Sequence, residues 1–307
     1  MSWRFLLQRS IHSAVVLFGA LTLVFFIVRL VPSDPVRIMA GPDASPKEIQ
    51  ATREALGFNR PIYVQYGIYL KNLLHGDLGR SLRQHRPTVS LVLERFPATL
   101  QLALASMLLA VCVAIPAGIF AAVKRGTIYD GLTVAASLLG QSVPTFWLGI
   151  VLIMVFAVRL RILPTSGYGG WRHMVLPMLT LALYMMALIT RMNRSSMLEV
   201  LNADYLRTAR AKGVKEKLVL LRHALRNALI PVVTIIGLQT GTLLGGAVIT
   251  ETVFAWPGIG SLAVDSITTL DYPVVQAVVI LSGGIFVVIN FGLDVLYTWL
   301  DPRIKYT

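Results

Sequence analysis

The sequence predicts an all-α, polytopic membrane protein with six transmembrane helices, and three observations carry that expectation. Hydrophobic residues fill 55% of the 307 positions. Charged residues fill only 14%, against roughly 25% in typical soluble domains. The apolar residues gather in long runs, and a hydrocarbon core about 30 Å thick needs about 20 helical residues to cross it. Runs suited to that length cover residues 11–31, 98–123, 131–158, 174–190, 229–250 and 274–297.

The first run follows Arg4 and Arg9 in the manner of a signal peptide. It is longer than an ordinary signal core and no small-residue cleavage site follows, so it is expected to stay as an anchor. Residues 32–97 read as folded helices outside the bilayer. Ser45-Pro46-Lys47-Glu48 has the pattern of a capping box with proline at the first helical position, and Gly57 supplies the stop. Tyr63, Tyr66, Leu70, Leu73 and Leu74 recur at helical spacing, and Gly76-Asp77-Leu78-Gly79 reads as a turn. Val89, Leu93 and Phe96 share a face, which predicts a surface segment over 89–96 before the chain enters the membrane at Ala98. A cap over the outer helix ends is the favoured reading of 32–97, ahead of a surface touched by an outer partner.

The remaining runs carry their own marks. The chain's one cysteine, Cys112, lies in the second run, which leaves no disulfide within the chain and predicts a small packing residue between helices. The third run groups Gln141, Ser142, Pro144 and Thr145. A proline within a span frees a backbone carbonyl, so both a kink and a polar cavity lining are open there. The fourth run is short and contains Pro177. In the fifth, Gly237, Gly241 and Gly245 fall at four-residue intervals beside Gln239, Thr240 and Thr242. That stripe suits close helix packing, and a pathway lining is the alternative. Asn290 and Asp294 stand toward the inner end of the sixth run.

Orientation follows from where Lys and Arg sit in short loops, because cytoplasmic loops retain them. With the N-terminus inside, the inner side holds Arg4, Arg9, Lys124, Arg125, nine basic residues from Arg191 to Arg226, Arg303 and Lys305. The short outer loops hold Arg159, Arg161 and Arg172. Both termini are therefore expected in the cytosol. The net charge of +13 is mostly topological by this reading, and no soluble basic module points to nucleic acid.

The inner basic segment is ordered in two parts. Ala203, Asp204, Tyr205, Leu206, Arg207, Thr208, Ala209, Arg210, Ala211 and Lys212 predict a short helix rich in small side chains, stopped at Gly213. Over 215–227, Leu218, Leu221, Leu225 and Ala228 form a stripe against Lys215, Arg222 and Arg226. A helix of that kind is expected to lie in the membrane interface before Pro231 opens the next span.

Helix, glycine break, amphipathic helix and proline resemble the EAA loop of ABC-importer permeases, in the form found in the dipeptide/oligopeptide/nickel permease family. Arg207-Thr208-Ala209-Arg210-Ala211-Lys212-Gly213 stands where that loop's Glu-Ala-Ala-x-x-x-Gly signature would. Arg207 replaces the Glu, Thr208 one Ala and Arg226 a later Pro, an altered form common in the peptide and nickel branch. The resemblance covers essentially the whole chain. It includes Pro32-Ser33-Asp34-Pro35, Gly76-Asp77-Leu78-Gly79, Ala122-Val123-Lys124-Arg125-Gly126, Arg194-Ser195-Ser196-Met197-Leu198-Glu199-Val200, Trp256-Pro257-Gly258-Ile259-Gly260, Asp271-Tyr272-Pro273-Val274-Val275-Gln276 and Asp301-Pro302-Arg303-Ile304.

What the resemblance implies is a type I ABC importer permease fold in a bacterial inner membrane. The short helix at 203–213 would dock on a cytosolic ATPase subunit. The partners implied are a second homologous permease, two ATPases that hold the ATP and Mg, an extracytoplasmic substrate-binding protein, and membrane lipid. The organisation expected is 1–97, an anchor plus outer helices; 98–300, a core permease domain with its coupling loop at 191–228; and 301–307, a cytosolic tail. Short peptides, including dipeptides, oligopeptides and glutathione-like molecules, lead as cargo, with a nickel chelate or another small solute as the alternative.

Several chemistries find no residues to carry them. No G-x-x-x-x-G-K-[ST] occurs, so ATP hydrolysis is expected elsewhere and this chain is not read as an enzyme. His12, His75, His85, His173 and His223 are scattered and give no metal pattern. A secondary transporter would show repeat halves and more intramembrane ionisable groups, and an intramembrane enzyme a paired catalytic constellation.

Overall fold

The computed structural model describes residues 3–30, 36, 44–55, 57–245 and 247–300. The landmarks at 32–35 and 301–304, the 301–307 tail and the side chains of Arg4, Arg9 and Asp294 lie outside the described residues. In chain order the helices are α1 Trp3–Leu30, α2 Pro46–Ala55, α3 Ile62–Leu74, α4 Thr88–Val123, α5 Ile128–Ser142, and α6 Thr145–Leu152, which runs on as π-helix Ile153–Arg159. There follow α7 Trp171–Leu201, α8 Asp204–Ala211, α9 Glu216–Leu244, α10 Val248–Val253, α11 Ile259–Thr268 and α12 Tyr272–Leu300. Among the described residues no strand forms, only an isolated antiparallel bridge between Arg80 and Pro87.

Five of these helices, α1, α4, α7, α9 and α12, are long and apolar enough to cross a membrane. The sixth crossing is broken. The run read as one span over 131–158 consists of α5 and the α6 segment, bent by 98°. Proline restricts the residue before it to extended conformations, and Val143 (φ −80°, ψ 122°) and Pro144 (φ −61°, ψ 134°) are both extended. Pro144 thus ends one helix and caps the next.

Two other boundaries differ from hydropathy. There is no separate surface segment over 89–96, because α4 is one helix from Thr88. Leu91 and Val92 are buried against Ile259, Leu262, Val274 and Ala277, so α11 and α12 hold one side of these first turns, while Leu93, on the face expected to rest on lipid, stays exposed. The helix after the basic loop also does not lie apart from the next span. It passes from Glu216 through a π-helical stretch, Val219–Ala224, straight into α9, with Pro231 inside it. Cys112 is exposed rather than packed between helices.

The centre of the molecule is the α4–α7 pair. Leu102, Met107, Ala110 and Ala114 meet Leu181, Ala182, Met185 and Ile189, and Val232 of α9 closes the layer. Small residues let such backbones approach. A Cβ on Gly118 would stand 2.7 Å from Asn193 Nδ2 and 2.9 Å from the Thr190 carbonyl, and Asn193 donates to the Ile115 carbonyl at 2.8 Å.

The segment between α1 and α4 matches its local signals. Ser45 N–H donates to Glu48 Oε2 at 2.8 Å and Glu48 N–H to Ser45 Oγ at 3.3 Å, the reciprocal bonds of a capping box. Those bonds hold the Glu48 carboxyl below its ordinary range. Tyr66 of α3 stacks edge-on against Phe25 of α1 and shares a 2.6 Å hydrogen bond with Thr22. Gly76 and Gly79 adopt φ of +77° and +84°, as a tight turn requires. The following hairpin is tied to the start of α12 by Ser81 Oγ–H and Leu82 N–H, both donating to Asp271.

Candidate functional site

The basic loop between α7 and α9 is built from local rules. Ala203 is extended, and Asp204 opens α8 with its negative charge in the first turn. At the other end Gly213 N–H donates to the Arg210 carbonyl at 2.9 Å, and Val214 N–H to the Ala209 carbonyl at 3.2 Å. These are the two bonds of a Schellman stop, which needs a left-handed residue between them. Gly213 supplies it at φ +75°.

One side of α8 is fastened and the other is bare. Leu206 is wholly buried with Ala122, Met197, Val219, Ala224 and Ala228. Asn227 Nδ2–H donates to the Tyr205 hydroxyl at 2.8 Å. Arg210 forks onto Glu216 at 3.1 and 2.9 Å, bracing the loop's exit. Arg207 faces solvent with its side chain 80% exposed and only a loose 3.7 Å approach to Asp204. Ala211, Lys212 and Gly213 are exposed too. The residues singled out from the sequence, 203–213, therefore form one compact projection held at its base by Leu206.

The candidate pathway residues divide. A cavity of about 490 Å³ brings Thr145 of α6 together with Gln239 and Thr242 of α9, Tyr184 of α7 and Thr250 of α10. Gln141, Ser142, Pro144, Gly237, Thr240, Gly241 and Gly245 do not line it. Gln141 Nε2 is buried without a hydrogen-bond partner. The hydroxyls of Ser142 and Thr240 bond back to the Leu138 and Ile236 carbonyls. Gly241 is a packing glycine, since a Cβ there would meet the Phe286 ring at 3.1 Å, and Gly245 ends α9.

Two carboxylates outside every motif singled out from the sequence are central to the packing. Asp130, in the first turn of α5, pairs with Arg194 of α7. The signal for it was a charge at each end of this contact beside apolar runs. Glu251 is fully buried between α4, α10 and α11. Burial pushes its carboxyl above the ordinary value, opposed by hydrogen bonds from Ser261 N–H and Thr99 Oγ–H. Thr99 Oγ also accepts from Ile259 N–H at 2.8 Å, and Trp256 Nε1–H donates to the Ala98 carbonyl at 2.9 Å. The Trp256–Gly260 landmark is thus a latch that closes α11 onto α4.

Comparison with known proteins agrees with this architecture. Residues 114–306 match the family described as binding-protein-dependent transport system inner membrane component, and residues 2–103 match its N-terminal counterpart. The glutathione transport system permease protein GsiC of Escherichia coli (strain K12) is 45% identical over 302 residues, 98% of this chain and 99% of that protein. GsiC of Shigella dysenteriae serotype 1 (strain Sd197) is similar to the same extent. Among solved structures, an inward-facing form of the MetNI methionine ABC transporter superposes with a TM-score of 0.55 at 18% identity, over 69% of this chain and 97% of the other. The chain belongs to the binding-protein-dependent transport system inner membrane component family, as a multi-pass inner-membrane permease subunit of an ATP-binding-cassette importer.

Proposed function

We propose that this chain forms half of a pathway that carries short peptides, glutathione-like molecules among them, into the cytoplasm, and that α8 is the contact through which an ATPase drives it. One observation carries the reading: α8 is a short helix anchored by a single buried residue, Leu206, with Arg207 and Lys212 left exposed beside the glycine stop. A projection of this shape moves with the membrane helices at its base and offers its outer face to another protein. The resemblance to GsiC over nearly the full length supports a peptide-like cargo.

In this reading both termini and α8 face the cytosol. A second, homologous permease completes the pathway, two ATPase subunits bind ATP and Mg, and an extracytoplasmic binding protein delivers cargo. Residues 203–213 contact the ATPase, and Thr145 and Gln239 face the pathway. Gln141, Ser142, Pro144, Gly237, Thr240, Gly241 and Gly245 support that wall through the bend and the packing of α9.

The coupling role is tested at Gly213. A β-branched residue at φ +75° is strained by roughly 1–3 kcal/mol, enough to unwind the end of α8. Gly213→Val in the reconstituted transporter is expected to cut uptake per ATP by about fivefold or more, the scale of a lost coupling energy, while membrane insertion and ATPase activity persist. Unaltered uptake per ATP contradicts the role. Cargo is tested separately on the cognate binding protein. Binding of dipeptides or glutathione is expected, and binding of nickel complexes alone contradicts the peptide reading.

A further inference from the structure

Arg194 Nε–H donates to Asp130 Oδ1 at 2.5 Å and Nη2–H to Oδ2 at 2.8 Å. Oδ2 also accepts Gly126 N–H at 3.0 Å, so the carboxylate spans the α4–α5 turn and α7 at once. The two side chains are 24% and 9% exposed. A forked Arg–carboxylate pair fixes direction as well as distance. As a source of stability it is a weak device, because well-packed apolar groups do as well in such a place. Its geometry is what needs explaining.

The position of each partner supplies the explanation. Met197, one turn beyond Arg194, is buried with Leu206 of α8 and with Val219 and Ala224 of α9. With Ala122 of α4 in the same cluster, the ends of α4 and α7, the helix α8 and the start of α9 therefore form one packed body. Further along, α5 packs on the middle of α7 at Gly140, where a Cβ would stand 3.0 Å from the Ala187 side chain, beside a groove of about 400 Å³ between the two helices. Among the described residues, Asp130–Arg194 is the polar tie between α5 and α7. At its far end α5 reaches the 98° break, beyond which Thr145 stands on the cavity wall.

We infer that Asp130 and Arg194 are positioning residues which make α5 follow the body that carries α8, so that a displacement of α8 is delivered to the α5–α6 break and to Thr145. This rests on the coupling role proposed for α8. Close packing of small residues sets the distance between the two helices, and the forked pair adds a fixed direction to it.

The test uses the complete transporter, permease pair with ATPases, in nanodiscs, with Cys112→Ser and spin labels at Ala135 on α5 and Val288 on α12. Addition of Mg-ATP with vanadate is expected to shift the 135–288 distance in the otherwise unsubstituted protein. Asp130→Asn and Arg194→Gln are each expected to abolish the shift while the ATPases stay bound and hydrolyse ATP, and the double variant is expected to be no worse than either, as members of one pair behave. Arg194→Lys keeps the charge but loses the fork, so its shift is expected to be present but smaller. A full shift in Asp130→Asn or Arg194→Gln overturns the inference. If the neutral variants do not assemble, the Arg194→Lys protein decides, and a full shift there overturns it. Absence of any shift in the unsubstituted protein overturns it as well. Failure of α8 to cross-link to the ATPase marks instead the failure of the coupling reading beneath it.

Discussion

Gly258 sits against a carboxylate. A Cβ there would fall 2.3 Å from the Glu251 carboxyl group, which is itself held by Thr99 and Ser261. Nothing in that box is free to retreat, since Gly260 in turn lies 2.7 Å, measured from its own would-be Cβ, from the Val248 backbone. Gly258→Ala is therefore expected to destabilise the purified permease by about 1–3 kcal/mol or more, the cost of overpacking a filled site, and to lower its melting temperature in detergent. An unchanged melting temperature contradicts the latch. Gly258 and Gly260 were visible in the sequence as part of a landmark, but their reason was not, because Glu251 meets them only after α10 and α11 fold back. Gly213 was legible for the opposite reason: a helix stop is a local demand, and its residue type and place follow from the neighbouring residues alone. Cys112 misled because hydropathy reports that a residue is in a span, not which way it points.

Hydropathy located the long apolar helices and misjudged their ends. α4 and α9 both extend beyond their apolar runs, over 88–97 and 216–228, where Glu94, Arg95, Lys217, Arg222 and Arg226 dilute the average. Those helical turns are kept by burial on one side, Leu91 and Val92 in α4, Val219 and Ala224 in α9. The third run misled in the other direction, being apolar enough for one span and broken by one dipeptide. With Pro144→Ala, Val143 is released from its extended conformation, and α5 can continue as helix at 1.5 Å per residue. Spin labels at Ala135 and Val155 are expected to report a longer, broader distance in that variant. An unchanged distribution would mean that Phe254, which packs on Gly149 at 3.1 Å from its would-be Cβ, sets the bend without the proline.

At the scale of the whole molecule, the described residues give five helices long enough to cross a membrane and one bent pair, packed about the α4–α7 contact, with the loop after α7 emerging at the end where basic residues collect. The fold class and the family were legible because both rest on long runs and ordered landmarks. The cavity was legible only in part: Thr145 and Gln239 come together there, whereas Gly241 of α9 packs against Phe286 of α12. Which polar side chains face a cavity depends on helix rotation, and rotation is set by contacts far along the chain. The orientation drawn from charge and the coupling role drawn from α8 meet in a single location, the cytosolic face. A photo-reactive residue at Arg207 in the intact transporter tests both at once. The account predicts an adduct with the ATPase subunit, formed in inside-out vesicles and retained when Mg-ATP with vanadate shifts the complex; no ATPase adduct, or protease access to the α8 loop only from the outer face, would contradict it.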